Sequence, residues 1–389
     1  MAEYKVKPVR ERPPFERIAL LLQGGGALGS YQAGVYHALA DANLHPDCVA
    51  GISIGAINAA LIAGNAPERR VDALRAFWEK VTEPPATVLP MLAPMLNFMA
   101  SGGDTLHLAV NRTYAFTNVL AGAPGFFVPR TTPFYMWSSL RPETDSFYDI
   151  TPLRETLGTL VDFDRINAGG MRLCVGAVNV RTGNMRYFDT SEEPVTADHV
   201  IASGSLPPGF PATRIGDDFY WDGGLLSNTP LDWVLGTRPR KDTLAFQVDL
   251  WSATGKMPQD IIGLDVRQKE IRYSSRTRAN TDQFRKMQRL RRAAQRALQM
   301  LPDQDVFNSD PDLALLQSEA DDTVYNIVHL IYRSKEYEGT SKDYLFSRAM
   351  MEEHWAAGYA DTARTLSYPE VLQRPSADDG VATFDKVGH

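Results

Sequence analysis

The stretch VAGISIGAINAALIAGNA, residues 49–66, carries no charged residue, and the way it divides decides the fold. Its length lies at the lower edge of the roughly 17–25 apolar residues that a membrane-crossing helix needs. Its interior points elsewhere. Gly51, Ser53, Gly55 and Asn58 mark a break between a buried strand ending near Ser53 and a small-residue helix over residues 55–63. Burial on both faces of a sheet then accounts for the missing charge.

Gly51-Ile52-Ser53-Ile54-Gly55 fits the Gly-x-Ser-x-Gly pattern of a nucleophile elbow, where a serine occupies a sharp strand-to-helix turn. Such a turn strains the serine backbone, and the two glycines let strand and helix approach closely. It also puts Ser53 at a helix N-terminus, where N–H groups favour developing negative charge. By chance the pentapeptide arises in roughly one chain of this length in ten. The apolar strand before it and the Ala-rich helix after it make Ser53 a serious candidate nucleophile.

Upstream, RIALLLQ (residues 17–23) reads as a buried strand running into GGGALGSYQAGVYHAL (24–39), a glycine turn that becomes a helix. Strand, glycine turn, helix, strand, tight turn, helix is the signature of an α/β sheet with parallel strands. Gly24, Gly25 and Gly26 can present unshielded amides to an oxyanion, as glycine runs in lipases do. With Gly29 they also fit Gly-x-Gly-x-x-Gly, so a dinucleotide site is the rival reading. That fingerprint wants an acidic residue at the end of the next strand. Here Asp47 precedes that strand.

A base is still required. His329 and His354 follow Ser53 in the order of a three-residue relay, but neither lies in a glycine-rich loop, and both read as ordinary strand or helix residues. Asp222 follows the aromatic strand FYW and precedes Gly223 and Gly224, whose missing side chains let another segment come close. A carboxylate hydrogen-bonded to a serine hydroxyl can take its proton directly. The plainer alternative is Asp222 as a turn residue.

Composition bounds the function. The 389 residues are 44% apolar and 22% charged, with a net charge of −7, which suits a soluble enzyme and argues against a nucleic-acid binder. Cys48 and Cys174 sit in apolar, strand-like settings and read as buried thiols rather than a disulfide. No metal-ligand cluster is evident. Residues 1–16 form a charged, proline-rich arm without the apolar core of a secretory signal, so a cytoplasmic setting is expected. Residues 84–149 lose regular pattern, and two readings stay open: a pocket or lid, or an irregular excursion over the sheet edge. The strand at 243–250 is expected to close the main sheet, ending a catalytic domain over residues 17–250.

Past residue 250 the chain turns polar and basic. Residues 265–299 are polar and rich in Lys and Arg, and Phe284, Met287, Leu290, Ala294, Ala297 and Leu301 form an apolar stripe beside Arg285, Arg289, Arg292 and Arg296. This predicts a basic amphipathic helix within a C-terminal extension, 251–389. It either docks with its basic face solvated or makes peripheral contact with an anionic membrane.

Four ordered blocks, LLQGGGALGSYQAGV, GISIGAINA, IASGSLPPGFP and FYWDGGLLSNTPL, resemble the patatin-like phospholipases. The resemblance implies a three-layer α/β/α fold with a central, mostly parallel sheet, and acyl-ester hydrolysis in lipids without cofactor, metal or histidine. It also implies roles residue by residue. Gly24, Gly25 and Gly26 form the oxyanion hole, Ser53 is the nucleophile and Asp222 the base of a Ser-Asp dyad, with Gly29, Gly51, Gly55, Gly223 and Gly224 as motif glycines. Many family members carry Arg or Lys in the glycine loop, where this chain has Ala27-Leu28. That departure weakens the case for phosphate-bearing substrates. Acyl transfer or thioester hydrolysis by the same dyad, and a non-catalytic lipid-binding or assembly protein, are the alternative functions.

Overall fold

RIALLL, Arg17–Leu22, forms β1, and its successive side chains enter two different cores. Ile18, Leu20 and Leu22 pack on one side of the sheet, Ala19 and Leu21 on the other. A strand buried on both faces needs apolar residues at every position, which is why the run does not alternate. The computed structural model describes residues 6–84, 104–130, 145–258, 261–300, 310–375 and 380–386.

After β1 come α1 (Ser30–Asp41), β2 (Cys48–Ile52), α2 (Ile54–Ala63) and α3 (Arg70–Val81). The helix α4 (Asp104–Ala121) leads to a small ribbon of β3 (Val128–Pro129) and β4 (Tyr148–Asp149), then α5 (Thr151–Leu160) and α6 (Phe163–Asn167). The hairpin β5 (Arg172–Asn179) and β6 (Met185–Asp189), α7 (Ala197–Ser203), the hairpin β7 (Thr213–Ile215) and β8 (Asp218–Asp222), α8 (Leu231–Gly236) and β9 (Thr243–Asp249) follow. The last third adds α9 (Ile261–Gln299), α10 (Pro311–Glu319), β10 (Tyr325–Ile331), α11 (Arg348–Leu366) and β11 (Val381–Asp385).

The strand order is β11-β10-β9-β1-β2-β5-β8-β7, with β6 also paired to β5. From β11 to β5 the neighbours run parallel, and the β5–β6, β5–β8 and β7–β8 pairs are antiparallel. Tyr31, Ile57, Leu74, Trp78 and Trp355 bring α1, α2, α3 and α11 onto one face. Leu231, Val234 and Phe284 bring α8 and α9 onto the other. Three layers result, as the four motif blocks imply. Cys48 and Cys174 are free and buried, and burial pushes the Cys48 thiol up to about 11.

Three expectations are corrected. The strand at 243–250 does not close the sheet, because β9 lies between β1 and β10 and residues 251–389 contribute two more parallel strands. The stretch 84–149 is not wholly irregular, since it contains α4. Its packed face carries Asn111, Thr117 and Asn118 with Val110 and Ala115, while Phe116 and Leu120 are 65% and 61% exposed. Polar residues inside and apolar ones outside cancel the periodic signal. The same inversion holds on α9, where Phe284 is buried with Glu270, Ser274, Thr281 and Gln288, but Met287 and Leu290 face outward. Hydrogen bonds fasten that helix: Gln288 Nε2 donates to the Thr323 carbonyl at 3.0 Å, and Arg292 Nη1 to the Asp322 carbonyl at 2.6 Å. Leu301 lies outside the described residues.

Helix α11 crosses α1 at two glycines. A Cβ on Gly34 would stand 2.0 Å from the Trp355 carbonyl oxygen, and one on Gly358 would stand 2.1 Å from that of Tyr31. Real Cβ atoms do not approach backbone so closely, so each methyl would force the helices apart. Gly34→Ala and Gly358→Ala should each destabilise the fold by about 2 kcal/mol or more, measured by denaturant midpoint. Gly236→Ala, with nothing within 4 Å of the added atom, is the control and should shift the midpoint little.

Candidate active site

The carboxyl ends of β1, β2 and β8 deliver three segments to one place. At the end of β2, Ser53 adopts φ 58° and ψ −125°, a left-handed conformation unusual for a residue with a side chain. The neighbours explain its persistence. A Cβ on Gly51 would stand 2.1 Å from the Gly55 carbonyl oxygen, and one on Gly55 would stand 2.3 Å from that of Leu22. The turn therefore closes only with glycine at both positions. The Ser53 amide donates to Ser203 Oγ at 3.0 Å, and Ser203 Oγ donates to the Gly176 carbonyl at 2.6 Å, tying the turn to β5.

Ser53 Oγ donates to Asp222 Oδ2 at 2.6 Å, across 169 positions of sequence. Asp222 ends β8, its amide donating to the Ser205 carbonyl at 2.9 Å, and its Oδ1 accepts from the Gly224 amide at 2.7 Å. Burial lifts the Asp222 carboxyl to about 6, and the hydrogen bonds from Ser53 and Gly224 oppose that rise. The ionised form is thus short of solvation but not orphaned. Gly223 is needed because a Cβ there would stand 2.5 Å from the Gly176 carbonyl oxygen.

Gly24, Gly25 and Gly26 follow β1. Asn228 Nδ2 and Trp251 Nε1 both donate to the Gly24 carbonyl, at 3.0 and 3.1 Å, and the Ala27 amide donates to the Asp343 carbonyl at 2.8 Å. Gly26 has φ 58°. Among the described residues the amides of Gly25 and Gly26 meet no acceptor. Gly29 packs on α2, where a Cβ would stand 2.5 Å from Ile54 Cγ1.

A buried polar chain braces the loop from below. Trp78 Nε1 donates to Asn58 Oδ1, Asn58 Nδ2 to Gln32 Oε1, Gln32 Nε2 to the Gln23 carbonyl, and Gln23 Oε1 accepts the Leu250 amide at 2.6 Å. Each member is satisfied, which makes such a network rigid rather than costly.

Ser53, Asp222 and the three glycines open into one cavity of about 590 Å³. Phe126, Phe127, Tyr148, Phe210 and Phe346 line it and pack as one aromatic cluster with neighbouring centroids 4.8–6.1 Å apart. Trp251, Tyr273, Asp343 and Tyr344 also line it. Of the sequence-predicted site residues, Ser53, Asp222, Gly24, Gly25, Gly26 and Gly224 face this cavity, while Gly29, Gly51, Gly55 and Gly223 set the backbone around it. His329 lies 3.4 Å from Asp249 and His354 lies 3.4 Å from Glu338, and neither lines the cavity.

Sequence reasoning passed over Ser203 and Asn228, although both sit inside the quoted blocks. It had no handle on Trp251, Tyr273 or Asp343, which belong to no motif. Helix α11 begins at Arg348, with Ser347 Oγ accepting the Met350 amide. The residues before it run over the glycine loop. Among the described residues no helix is long and apolar enough to cross a membrane, and no cluster of His, Cys, Asp or Glu could hold a metal ion.

The profile of the patatin-like phospholipases matches residues 20–235, and a second profile, described as patatin phospholipase, matches residues 271–378. The chain is 34% identical over 87 residues to patatin-like phospholipase domain-containing protein 7 of Rattus norvegicus, covering 22% of this chain and only 6% of that protein. Among solved structures, VipD from Legionella pneumophila is similar over 95% of this chain and 69% of its own, with 14% identity and a TM-score of 0.38. ExoU of Pseudomonas aeruginosa, solved with SpcU, is similar over 69% of this chain and 53% of its own, with 17% identity and a TM-score of 0.26. With its profile spanning β1 to α8, the chain belongs to the patatin-like phospholipase family.

Proposed function

We propose that the protein is a serine lipid acyl hydrolase working through a Ser53-Asp222 dyad. The 2.6 Å hydrogen bond from Ser53 Oγ to a buried carboxylate, inside an aromatic cavity, carries this reading. Asp222 takes the hydroxyl proton as Ser53 Oγ attacks the ester carbonyl, and the carbonyl oxygen becomes an anion facing the amides of Gly24, Gly25 and Gly26. Preorganised amides of this kind are worth about 2.7–4 kcal/mol each to an acyl-transfer barrier. Collapse expels the alcohol, which receives the proton from Asp222, and leaves an acyl-enzyme. Asp222 then deprotonates water, whose oxygen attacks the acyl carbon. The fatty acid leaves, and Ser53 Oγ recovers the proton.

The free amides of Gly25 and Gly26 support the oxyanion assignment, and the raised Asp222 carboxyl supports the base, since a base works best with a pKa near the operating pH. The aromatic cluster of Phe126, Phe127, Phe210 and Phe346 is proposed to hold the acyl chain. Of the Met, Phe and Trp residues between Leu89 and Trp137 read as an acyl-chain pocket or lid, those in 89–103 and 131–137 lie outside the described residues.

Contact with a lipid surface is proposed to occur at the cavity mouth. Val119, Phe147 and Leu206 line the cavity and are also exposed, as are Phe116 and Leu120 on the same helix as Val119. The cationic stripe of α9, read as either a solvated basic face or a contact with an anionic membrane, borders a groove against β11, where Arg285, Arg289 and Arg296 stand near Val381. That groove lies roughly 20–35 Å along α9 from Tyr273, too far to feed substrate to Ser53.

Ser53→Ala and Asp222→Asn should each lower ester turnover by about a thousandfold or more, while His329→Ala keeps it. Loss of turnover in a folded His329 variant would count for a three-residue relay instead. kcat/KM should fall about tenfold per pH unit below the Asp222 value of about 6. The same carboxyl holds its proton more tightly folded than unfolded, where aspartate titrates near 3.9. Its ionisation therefore removes about 3 kcal/mol of stability as pH rises through 6, a penalty absent below pH 4. Asp222→Asn should accordingly raise Tm at pH 8, read by calorimetry. In vesicle co-sedimentation, Phe116→Asp with Leu120→Asp should release the protein, whereas Arg285→Gln with Arg289→Gln should not; the reverse result would return lipid contact to α9.

A further inference from the structure

A backbone amide serves an oxyanion only if its N–H is held in the right direction. A trans peptide unit is planar, with N–H and C=O pointing opposite ways, so whatever holds the carbonyl aims the amide. The carbonyls that share peptide units with the Gly24, Gly25 and Gly26 amides are all held. Gln32 Nε2 donates to the Gln23 carbonyl at 2.6 Å, and the Leu28 amide donates to the Gly25 carbonyl at 3.3 Å. The Gly24 carbonyl is different, because two side chains from outside the loop and α1 converge on it. Asn228 Nδ2 and Trp251 Nε1 donate to it at 3.0 and 3.1 Å. On the other end of that peptide unit is the Gly25 amide, which meets no acceptor among the described residues.

Both side chains are themselves fixed. Asn228 is buried and stands between the two halves of the site. A Cβ on Gly24 would lie 2.5 Å from its Oδ1, and one on Gly224 would lie 3.1 Å from the same atom. Trp251 is buried too. Its amide and that of Leu250 donate to Gln23 Oε1 at 3.2 and 2.6 Å, and Tyr273 of α9 lies against its ring with centroids 5.1 Å apart. The Lys342 ammonium sits 5.1 Å from the Trp251 ring centroid, a cation–π distance. Lys342 Nζ is in turn 2.8 Å from Glu270 Oε1 in a buried ion pair. The indole is therefore set by α9 and by the segment before α11, both beyond the profile that covers Ser53 and Asp222.

We infer that Trp251, together with Asn228, is a positioning residue for the oxyanion: by holding the Gly24 carbonyl, the two side chains fix the direction of the Gly25 N–H. The inference rests on the hydrolase reading and adds the device that aligns one of its donors. The peptide unit concerned joins two glycines, whose backbones resist rotation least. Without the two hydrogen bonds it is free to turn over and present its carbonyl oxygen where the oxyanion forms. A donor would become an acceptor at that spot. Such a change raises the energy of the transition state while leaving the uncharged ester bound as before. The C-terminal third thus enters the acyl chemistry through the Trp251 indole, although the nucleophile and the base both lie elsewhere.

The test uses the full-length protein, a p-nitrophenyl acyl ester and a trifluoromethyl ketone of matched chain length, which Ser53 attacks to leave a tetrahedral oxyanion with no leaving group. Trp251→Phe keeps a ring against Tyr273 and removes the N–H, and Asn228→Ala removes the other donor independently. Each should lower kcat about tenfold with KM within about twofold of wild type, and the double variant should approach the loss of about a hundredfold or more that follows removal of one oxyanion donor. Affinity for the ketone should weaken in proportion to kcat/KM, while the pH midpoint of kcat/KM stays where it is, since Asp222 is untouched. Full turnover in the double variant overturns the positioning role. So does a raised KM with unchanged kcat, or a ketone affinity that does not follow the rate, because either marks the two side chains as cavity wall only. Trp251→Phe, which preserves the packing, decides alone if Asn228→Ala does not fold. Equal ester turnover by wild type and Ser53→Ala instead overturns the hydrolase reading and the positioning role with it.

Discussion

At the turn between β2 and α2, backbone meets backbone where any side chain would intrude. Gly51 lies against the Gly55 carbonyl and Gly55 against that of Leu22, so strand, helix and the end of β1 share one small volume. This approach drives Ser53 into its left-handed conformation and aims its hydroxyl at the end of β8. The strain is held because the surroundings over-determine it: Ser203 takes the Ser53 amide, and α2 is buried along its whole length.

Asp222 reaches that hydroxyl because the sheet changes character at β5. Up to β5 the strands are parallel, with β9, β1 and β2 buried on both faces, while β8 pairs antiparallel to β5 with Ala177 opposite Asp222. An antiparallel strand brings its carboxyl end to the opposite edge from its parallel neighbours. The aspartate nevertheless lies by Ser53 because β8 overlaps only the last residues of β5, at Ala177 to Asn179. Gly223, pressed on the Gly176 carbonyl, lets the chain turn there.

The C-terminal third belongs to the same body as the rest. Its strands β10 and β11 extend the parallel sheet beyond β9, α11 docks on α1 through Gly34 and Gly358, and the Asp343 carbonyl holds the Ala27 amide. Residues past 250 therefore shape the cavity as directly as the motif blocks do. Their polar contacts concentrate around Glu270, Lys342 and Asp343, of which Asp343 lines the cavity.

Sequence by itself determined the alternating α/β order, the elbow around Ser53, the glycine loop and the candidacy of Asp222, because each depends on local geometry that only particular residues tolerate. Glycine at 51, 55 and 223 is a steric requirement, and such requirements leave marks in the chain. Tertiary structure alone decided that β9 is interior, that α4 exists within 84–149, and that α9 turns Glu270 and Gln288 inward while Met287 and Leu290 face out. Those helices are held by hydrogen bonds and ion pairs whose partners lie far off in sequence, so hydrophobic periodicity cannot register them. Asp343 is hidden for the same reason: it belongs to no motif and acquires meaning only once the fold has set it in the wall of the cavity.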